Sequence, residues 1–347
     1  MATATIQAPD SYLLSSQIGD VGISLTDADC ATVTVMAGST DEVLSLELDA
    51  YDGLVTLCDL RSAVEEYMRS EERAMQSFTI KVYDEDSLLA SCSFTAIYCA
   101  LSGKLVNAST YLLSHFLTSL SHKITHRTLL ERISYFAKAG ETRRCDFAVV
   151  SAPAAGGSQR VDTLSSYVGL TQGADSVVEI IVDYDDIVTR CNSSMTNWYS
   201  GDWKILAVTV SVGNRSFCFY YSDKVPSVAF TFRNAFNVFE VCGINGITSE
   251  VTTVERSTAV IGGKSEFYDQ TETTSYEVES APMQLHIAKW IRQLFASHAV
   301  FIHQRSNSAF DYPVLITDSK CEVNDENGSL NAVKFTWQYE DGMSPIN

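Results

Sequence analysis

Thr32-Val33-Thr34-Val35 and, a few residues on, Val43-Leu44-Ser45-Leu46-Glu47-Leu48-Asp49 alternate apolar and polar side chains one residue at a time. A period of two is what a half-buried strand requires, because successive side chains leave opposite faces of the backbone. Gly38-Ser39-Thr40-Asp41 between the two runs supplies turn chemistry, so residues 32–49 read as a hairpin. Downstream, Leu60, Ala63, Val64, Tyr67 and Met68 form one apolar stripe at helical spacing, with Asp59 placed as N-cap. A second hairpin is expected from residues 78–83 and 91–100, joined through Asp84-Glu85-Asp86-Ser87.

Composition extends this reading to the whole chain. Sixteen Tyr, sixteen Phe and only six Pro among 347 residues favour pleated, half-buried surfaces, and 46% hydrophobic against 19% charged residues provides enough apolar surface for several cores. The expected fold is mainly β: two or three sandwich- or barrel-like modules with a few short helices, one of them amphipathic and near the C-terminus. Modules are expected at 1–121, 122–240 and 241–347, the second a diverged repeat of the first. The proposed repeat matches Val43, Asp49, Tyr51, Val55, Thr56 and Cys58 to Val177, Asp183, Tyr184 or Asp185, Val188, Thr189 and Cys191. Leu129, Leu130, Ile133 and Phe136 have helical spacing before Gly140. A helix over 281–297, starting from Ser280, carries Met283, Ile287, Trp290, Ile291 and Leu294 on one face. Asn245-Gly246, Gly262-Gly263 and Asn327-Gly328 signal hairpin turns in the third region.

Charge and motifs exclude several functions. A formal charge of −19, from 43 acidic and 24 basic residues, disfavours a phosphate backbone and an anionic membrane as partners. No apolar run approaches the roughly 18 residues of a spanning helix, and Met1-Ala2-Thr3-Ala4-Thr5-Ile6 lacks the basic and apolar regions of a signal peptide, so synthesis in the cytosol is expected. The nine cysteines contain no CxxC pair and read as buried thiols. His122 and His126 have the i, i+4 spacing of helical zinc ligands but no marked third ligand. Asp183, Asp185 and Asp186, and Asn324-Asp325-Glu326-Asn327, are oxygen-rich but lack calcium-loop spacing. Val260-Ile261-Gly262-Gly263-Lys264-Ser265 lacks the first glycine of a phosphate loop. No metal, cofactor or catalytic residue is therefore expected, and the chain reads as a non-enzyme. Trp198, Tyr199 and Trp203, in an amide-rich stretch, could stack on a sugar or a protein, and this supports an alternative reading as a carbohydrate-binding or adhesin-type protein.

Two segments carry a resemblance: Phe230-Thr231-Phe232-Arg233-Asn234-Ala235-Phe236-Asn237-Val238-Phe239-Glu240, and residues 312–325 running on to 331–339. They resemble virion structural proteins of the tail or baseplate type from gut bacteriophages and prophages, with the similarity confined to about the last third of the chain. The resemblance implies a virion protein of β modules that docks to itself and to other tail proteins, with no catalytic residues. Within the first segment, Phe232, Arg233, Asn234, Phe236 and Asn237 suit a structural clasp, either across a domain junction or buried inside one domain: the arginine and amides bond backbone while the rings are buried.

Overall fold

The computed structural model of the protein describes residues 2–104, 106–140, 142–170, 173–194, 203–305, 312–321 and 330–341. Strands dominate throughout, in six separate sheets among the described residues.

The first unit runs Thr3–Ile6 (β1), Tyr12–Leu14 (β2), Val21–Thr26 (β3), Cys30–Ala37 (β4), Asp41–Asp49 (β5), Leu54–Leu57 (β6), helix Leu60–Ser70 (α1), Met75–Asp84 (β7) and Ser87–Ile97 (β8). Its sheets have the orders β2-β8-β7-β4-β5 and β1-β3-β6. Val33, Val35, Phe78, Ile80 and Val82 from the first sheet and Ile23, Val55 and Leu57 from the second bury their side chains in one core. Leu60, Val64 and Met68 of α1 close that core, one residue per helical turn. Asp59 precedes α1 as expected, but its backbone is left-handed (φ 58°) and its side chain makes no cap. The next helix, Ala108–Ser114 (α2), is capped instead by Asn107, whose side chain accepts from the Thr110 N–H at 2.9 Å.

The second unit comprises His122–Thr125 (β9), Glu131–Ala137 (β10), Thr142–Pro153 (β11), Arg160–Leu170 (β12), Ser176–Val182 (β13), helix Tyr184–Ser194 (α3), Trp203–Val212 (β14) and Arg215–Tyr221 (β15). It repeats the pairing scheme of the first. β9 lies parallel to β15 as β2 does to β8, and β10 pairs with β13 as β3 does with β6. The hairpins β11/β12 and β14/β15 join through β11 and β14, as β4/β5 and β7/β8 join through β4 and β7. A helix of 11 residues precedes the last hairpin in both. The residue matches expected from sequence fall one element out of step: Val43 lies in β5, whose counterpart is β12, whereas Val177 lies in β13. Val55 is in β6, but Val188 and Cys191 are in α3.

Leu129, Leu130, Ile133 and Phe136, which have helical spacing, form no helix: Leu129 and Leu130 lie just before β10, and Ile133 and Phe136 lie in it. Both faces of this strand are covered: Ile133, Tyr135 and Ala137 point into one core and Phe136 into another. A strand buried on both sides loses its alternation, which is why its sequence imitates a helix.

The remainder contains Val228–Arg233 (β16), Phe239–Ile244 (β17), Gly246–Ile261 (β18), Lys264–Ser280 (β19), helix Leu285–Ala296 (α4), Val300–Ile302 (β20), Val314–Cys321 (β21) and Val333–Tyr339 (β22). Sheets β17-β16-β20 and β18-β19-β22-β21 result. One cluster of buried side chains extends from Phe116 to Trp337, so residues 122–240 and 241–347 share a core, and position 240 lies inside β17. The helix expected from Ser280 starts at Leu285, because Ser280 ends β19 and its hydroxyl accepts from the Val333 N–H at 2.9 Å. Asn245-Gly246 is a switch between sheets instead of a hairpin turn, and a Cβ on Gly246 would fall 2.1 Å from the Glu279 carbonyl oxygen. Gly262 and Gly263, both at positive φ (61° and 82°), do form the two-residue turn of β18/β19.

Candidate functional site

The turn between β16 and β17 joins four parts of the chain. Asn234 closes it: its side-chain oxygen accepts from the Phe236 N–H at 2.8 Å, and its backbone N–H donates to the Val238 carbonyl at 2.9 Å. Asn237 takes the left-handed backbone the turn needs (φ 57°), which asparagine tolerates better than most residues. From this frame the side chains reach outward. Asn237 Nδ2 donates to the carbonyls of Met68 and Arg73, both at 3.1 Å, around the end of α1. Arg233 donates to the Glu72 carboxylate at 2.5 Å and stacks on the Phe239 ring at 4.3 Å. Asn234 Nδ2 donates to the Leu117 carbonyl at 2.8 Å, and the Ala235 N–H donates to Gln293 Oε1 of α4 at 3.0 Å. Phe236 is buried in a separate cluster with Leu14, Ile97, Leu112, Leu117 and Phe136, between the first unit and the rest. Phe232 lies elsewhere, in the large core, edge-on to Trp290 at 5.7 Å. The Arg233–Glu72 pair is half open to solvent on the acidic side and adds little stability. The amide contacts and Phe236 hold the junction.

A second group, invisible to sequence motifs, lies under the same turn. Lys123 of β9 is buried with its amine 2.6 Å from Glu131 Oε2, and it also donates to the Val241 carbonyl. Glu131, wholly buried at the start of β10, accepts from Thr125 Oγ1 at 2.6 Å with its other oxygen. Lys123 stands 5.2 Å from the Trp290 ring centre. Trp290 Nε1 donates to Glu240 at 2.6 Å. Burial raises the Glu240 carboxyl above its usual range, against hydrogen bonds from Thr118, Trp290 and Asn234 and the nearby Lys123 charge. With Glu240 held toward its neutral form, one lysine and one carboxylate balance in the interior. Nearby, His303 accepts the Leu130 N–H on Nε2 at 3.1 Å and meets Thr231 through Nδ1 at 2.9 Å, and burial pushes its pKa down to about 4. Arg215 is also buried, and its guanidinium donates to the Phe136 carbonyl at 2.8 Å and to the carbonyls of Leu112 and His115 at the end of α2.

The other sequence candidates are scattered. Trp203, half-buried, opens β14 opposite Pro153, while Trp198 and Tyr199 lie outside the described residues. Asp183 and Asp185 are bridged by Arg305 at 2.6 and 2.8 Å. Residues 324–327 lie outside the described residues. His122 and His126 lie on and just beyond a short strand, not a helix, and His126 bonds Thr128 at 2.8 Å. Cys99, Cys145, Cys191 and Cys242 are buried, but Cys30 and Cys58 are exposed.

The largest exposed feature is the β18/β19 ribbon. Among the described residues only 276–279 at its base pair with β22, and β18 is an edge strand along its full length. Beyond Tyr276 some eleven residues of each strand extend from the body, roughly 37 Å at about 3.4 Å per residue. Val260, Ile261, Phe267 and Tyr268 are each more than half exposed at its tip. A two-stranded hairpin without further cover is marginal in water.

The chain is therefore a mainly-β protein of joined modules whose most distinctive exposed element is an unpaired ribbon. No protein-family model matches it, and no curated protein does. Among solved structures it is similar to the extracellular region of plexin A4, at 9% identity and a TM-score of 0.22, covering 99% of this chain and 40% of that one. A Salmonella alpha-2-macroglobulin variant aligns at 9% identity and a TM-score of 0.23, over 96% of this chain and 23% of the other. An Escherichia coli alpha-2-macroglobulin activated by porcine elastase aligns at 10% identity and a TM-score of 0.23, over 80% and 29%. The chain thus spans less than half the length of each of these.

Proposed function

We propose that this protein is a structural subunit of a phage or prophage tail or baseplate, which acts by docking to copies of itself and to neighbouring tail proteins. The observation that carries the reading is the β18/β19 ribbon. Its two edges offer rows of unpaired backbone groups, and its apolar tip is left exposed by the described residues. Such an element gains its stability when a neighbour completes the sheet or receives the tip. Glu250, Glu255, Arg256, Glu266, Asp269 and Glu272 along the ribbon oppose indiscriminate pairing, as expected of an edge reserved for one partner. The clasp suits the same role, since it ties the first unit to the body that carries the ribbon.

The test compares the full chain with a variant in which residues 251–275 are replaced by Asn-Gly. Light scattering after gel filtration and negative-stain microscopy should show rings or defined oligomers for the full chain and monomers for the variant, with near-UV circular dichroism largely retained. Assembly that proceeds equally without the ribbon, or a full chain that stays monomeric at every concentration reached, would sink the proposal.

A further inference from the structure

A cavity of about 340 Å³ opens between β9, the β17-to-β18 switch and the first turn of α4. His122, Lys224, Asn245, Gln284 and His286 line it with apolar Met283 and Ile287. Two polar atoms of residues that line it, His286 Nε2 and Asn245 Oδ1, are shielded from solvent and have no hydrogen-bond partner among the described residues. Buried polar atoms in native proteins are almost always satisfied, so an orphaned pair on one cavity points to a ligand.

The imidazoles of His122 and His286 come from different elements and lie with ring centres 5.2 Å apart and planes tilted at 51°. His122 Nδ1 is engaged by Ser121 Oγ at 3.0 Å, which leaves Nε2 as its free nitrogen. Two imidazoles that share one ion at about 2.1 Å hold their ring centres ~3.2 Å from it, hence ~5.2 Å apart at the tetrahedral angle. We propose that His122, His286 and the carboxamide oxygen of Asn245 bind one divalent transition-metal ion of the zinc or nickel class, with water completing the shell. Imidazole nitrogen is the donor such ions prefer, and three protein ligands with one open position is an established zinc arrangement. Among the described residues no three His, Cys, Asp or Glu side chains gather at one point, so the carboxamide is what raises the pair to a site. Of the two lysines on the wall, Lys123 is neutralised by Glu131.

The experiment is calorimetric titration with Zn²⁺ at pH 7.5, in a background where the exposed Cys30 and Cys58 are changed to Ser to remove surface thiol binding. One ion per chain is expected. His122→Gln and His286→Gln should each weaken binding more than about tenfold, since even outer ligand-orienting groups contribute 10- to 100-fold. His298→Gln, on an exposed histidine remote from the cavity lining, should leave it unchanged. Absence of stoichiometric binding, binding indifferent to both cavity variants, or equal loss with His298→Gln overturns the proposal. Near-UV circular dichroism without metal establishes that each variant is folded before it is scored.

Discussion

The first and second units share one strand-pairing scheme, yet they fill corresponding positions with opposite chemistry. In the first unit the second residue of β2 is Leu13 and the first residue of β3 is Val21, both buried in an apolar core. In the second unit the second residue of β9 is Lys123 and the first of β10 is Glu131, an ion pair in the interior. The difference follows from what covers each unit. Leu13 packs into the first unit's own apolar cluster, whereas Lys123 meets the Val241 carbonyl of β17 and the Trp290 ring of α4. One scheme thus tolerates either interior, and the charged version occurs where the second unit is sealed by the C-terminal region.

This contrast can be broken by substitution. Glu131→Ala should have the largest effect, a loss of about 3–5 kcal/mol, because it strands a buried ammonium group. Giving the second unit the residues of the first, Lys123→Leu with Glu131→Val, should be close to neutral or stabilising by up to about 4 kcal/mol. Urea unfolding of the two variants decides it, and a double variant as unstable as the single one refutes the equivalence of the two interiors.

The pH response should sharpen the contrast, since residues 1–114 contain no histidine. The folded-state pKa of His303, near 4, lies below the ordinary value of about 6.5, so the folded protein favours the neutral ring. Its contribution is complete above about pH 6.5 and is lost as the pH falls toward 4, where the unfolded chain binds the proton more readily. Wild type should therefore lose more stability than His303→Gln between pH 7 and pH 5. Equal losses in urea midpoint would remove His303 from the account.

The smallest effect is expected at the joint between the units. Asn237→Ala removes two hydrogen bonds and places alanine in a left-handed backbone, and it should destabilise by about 2 kcal/mol. Asn237→Gly keeps the backbone comfortable and should lose only the hydrogen-bond part. If both variants match wild type in differential scanning calorimetry, the amide does not hold the first unit in place.

How much of this was legible depended on whether a segment has one wet face. The residues of β4 and β5 announce themselves by alternation, and the stripe of α1 by its period, because each faces water on one side. β10 is covered on both sides and reads as a helix. The duplication was legible only as a suspicion, since it resides in hydrogen-bond pairing rather than in residue identity, and the residue matches fell one element out of step, some of them on helix α3. At the joint, Arg233, Asn234, Phe236 and Asn237 stood out as a dense polar and aromatic run, but their partners Met68, Arg73 and Leu117 lie 117 to 169 residues away. The Lys123, Glu131 and Glu240 cluster left no local mark, since each is an ordinary charged residue until distant elements enclose it.

The parallel pairs carry a consequence for the order of events during synthesis. Tyr12 pairs with Thr95 and His122 with Cys218, so β2 in the first unit and β9 in the second wait for the closing strand of their unit, with more than 80 residues between them. At about 5–20 residues per second, a ribosome leaves each of these early strands without its partner for at least several seconds. Each unit should therefore reach its native sheet late and abruptly, when its last hairpin emerges, and the first can be finished before the last hairpin of the second has been made.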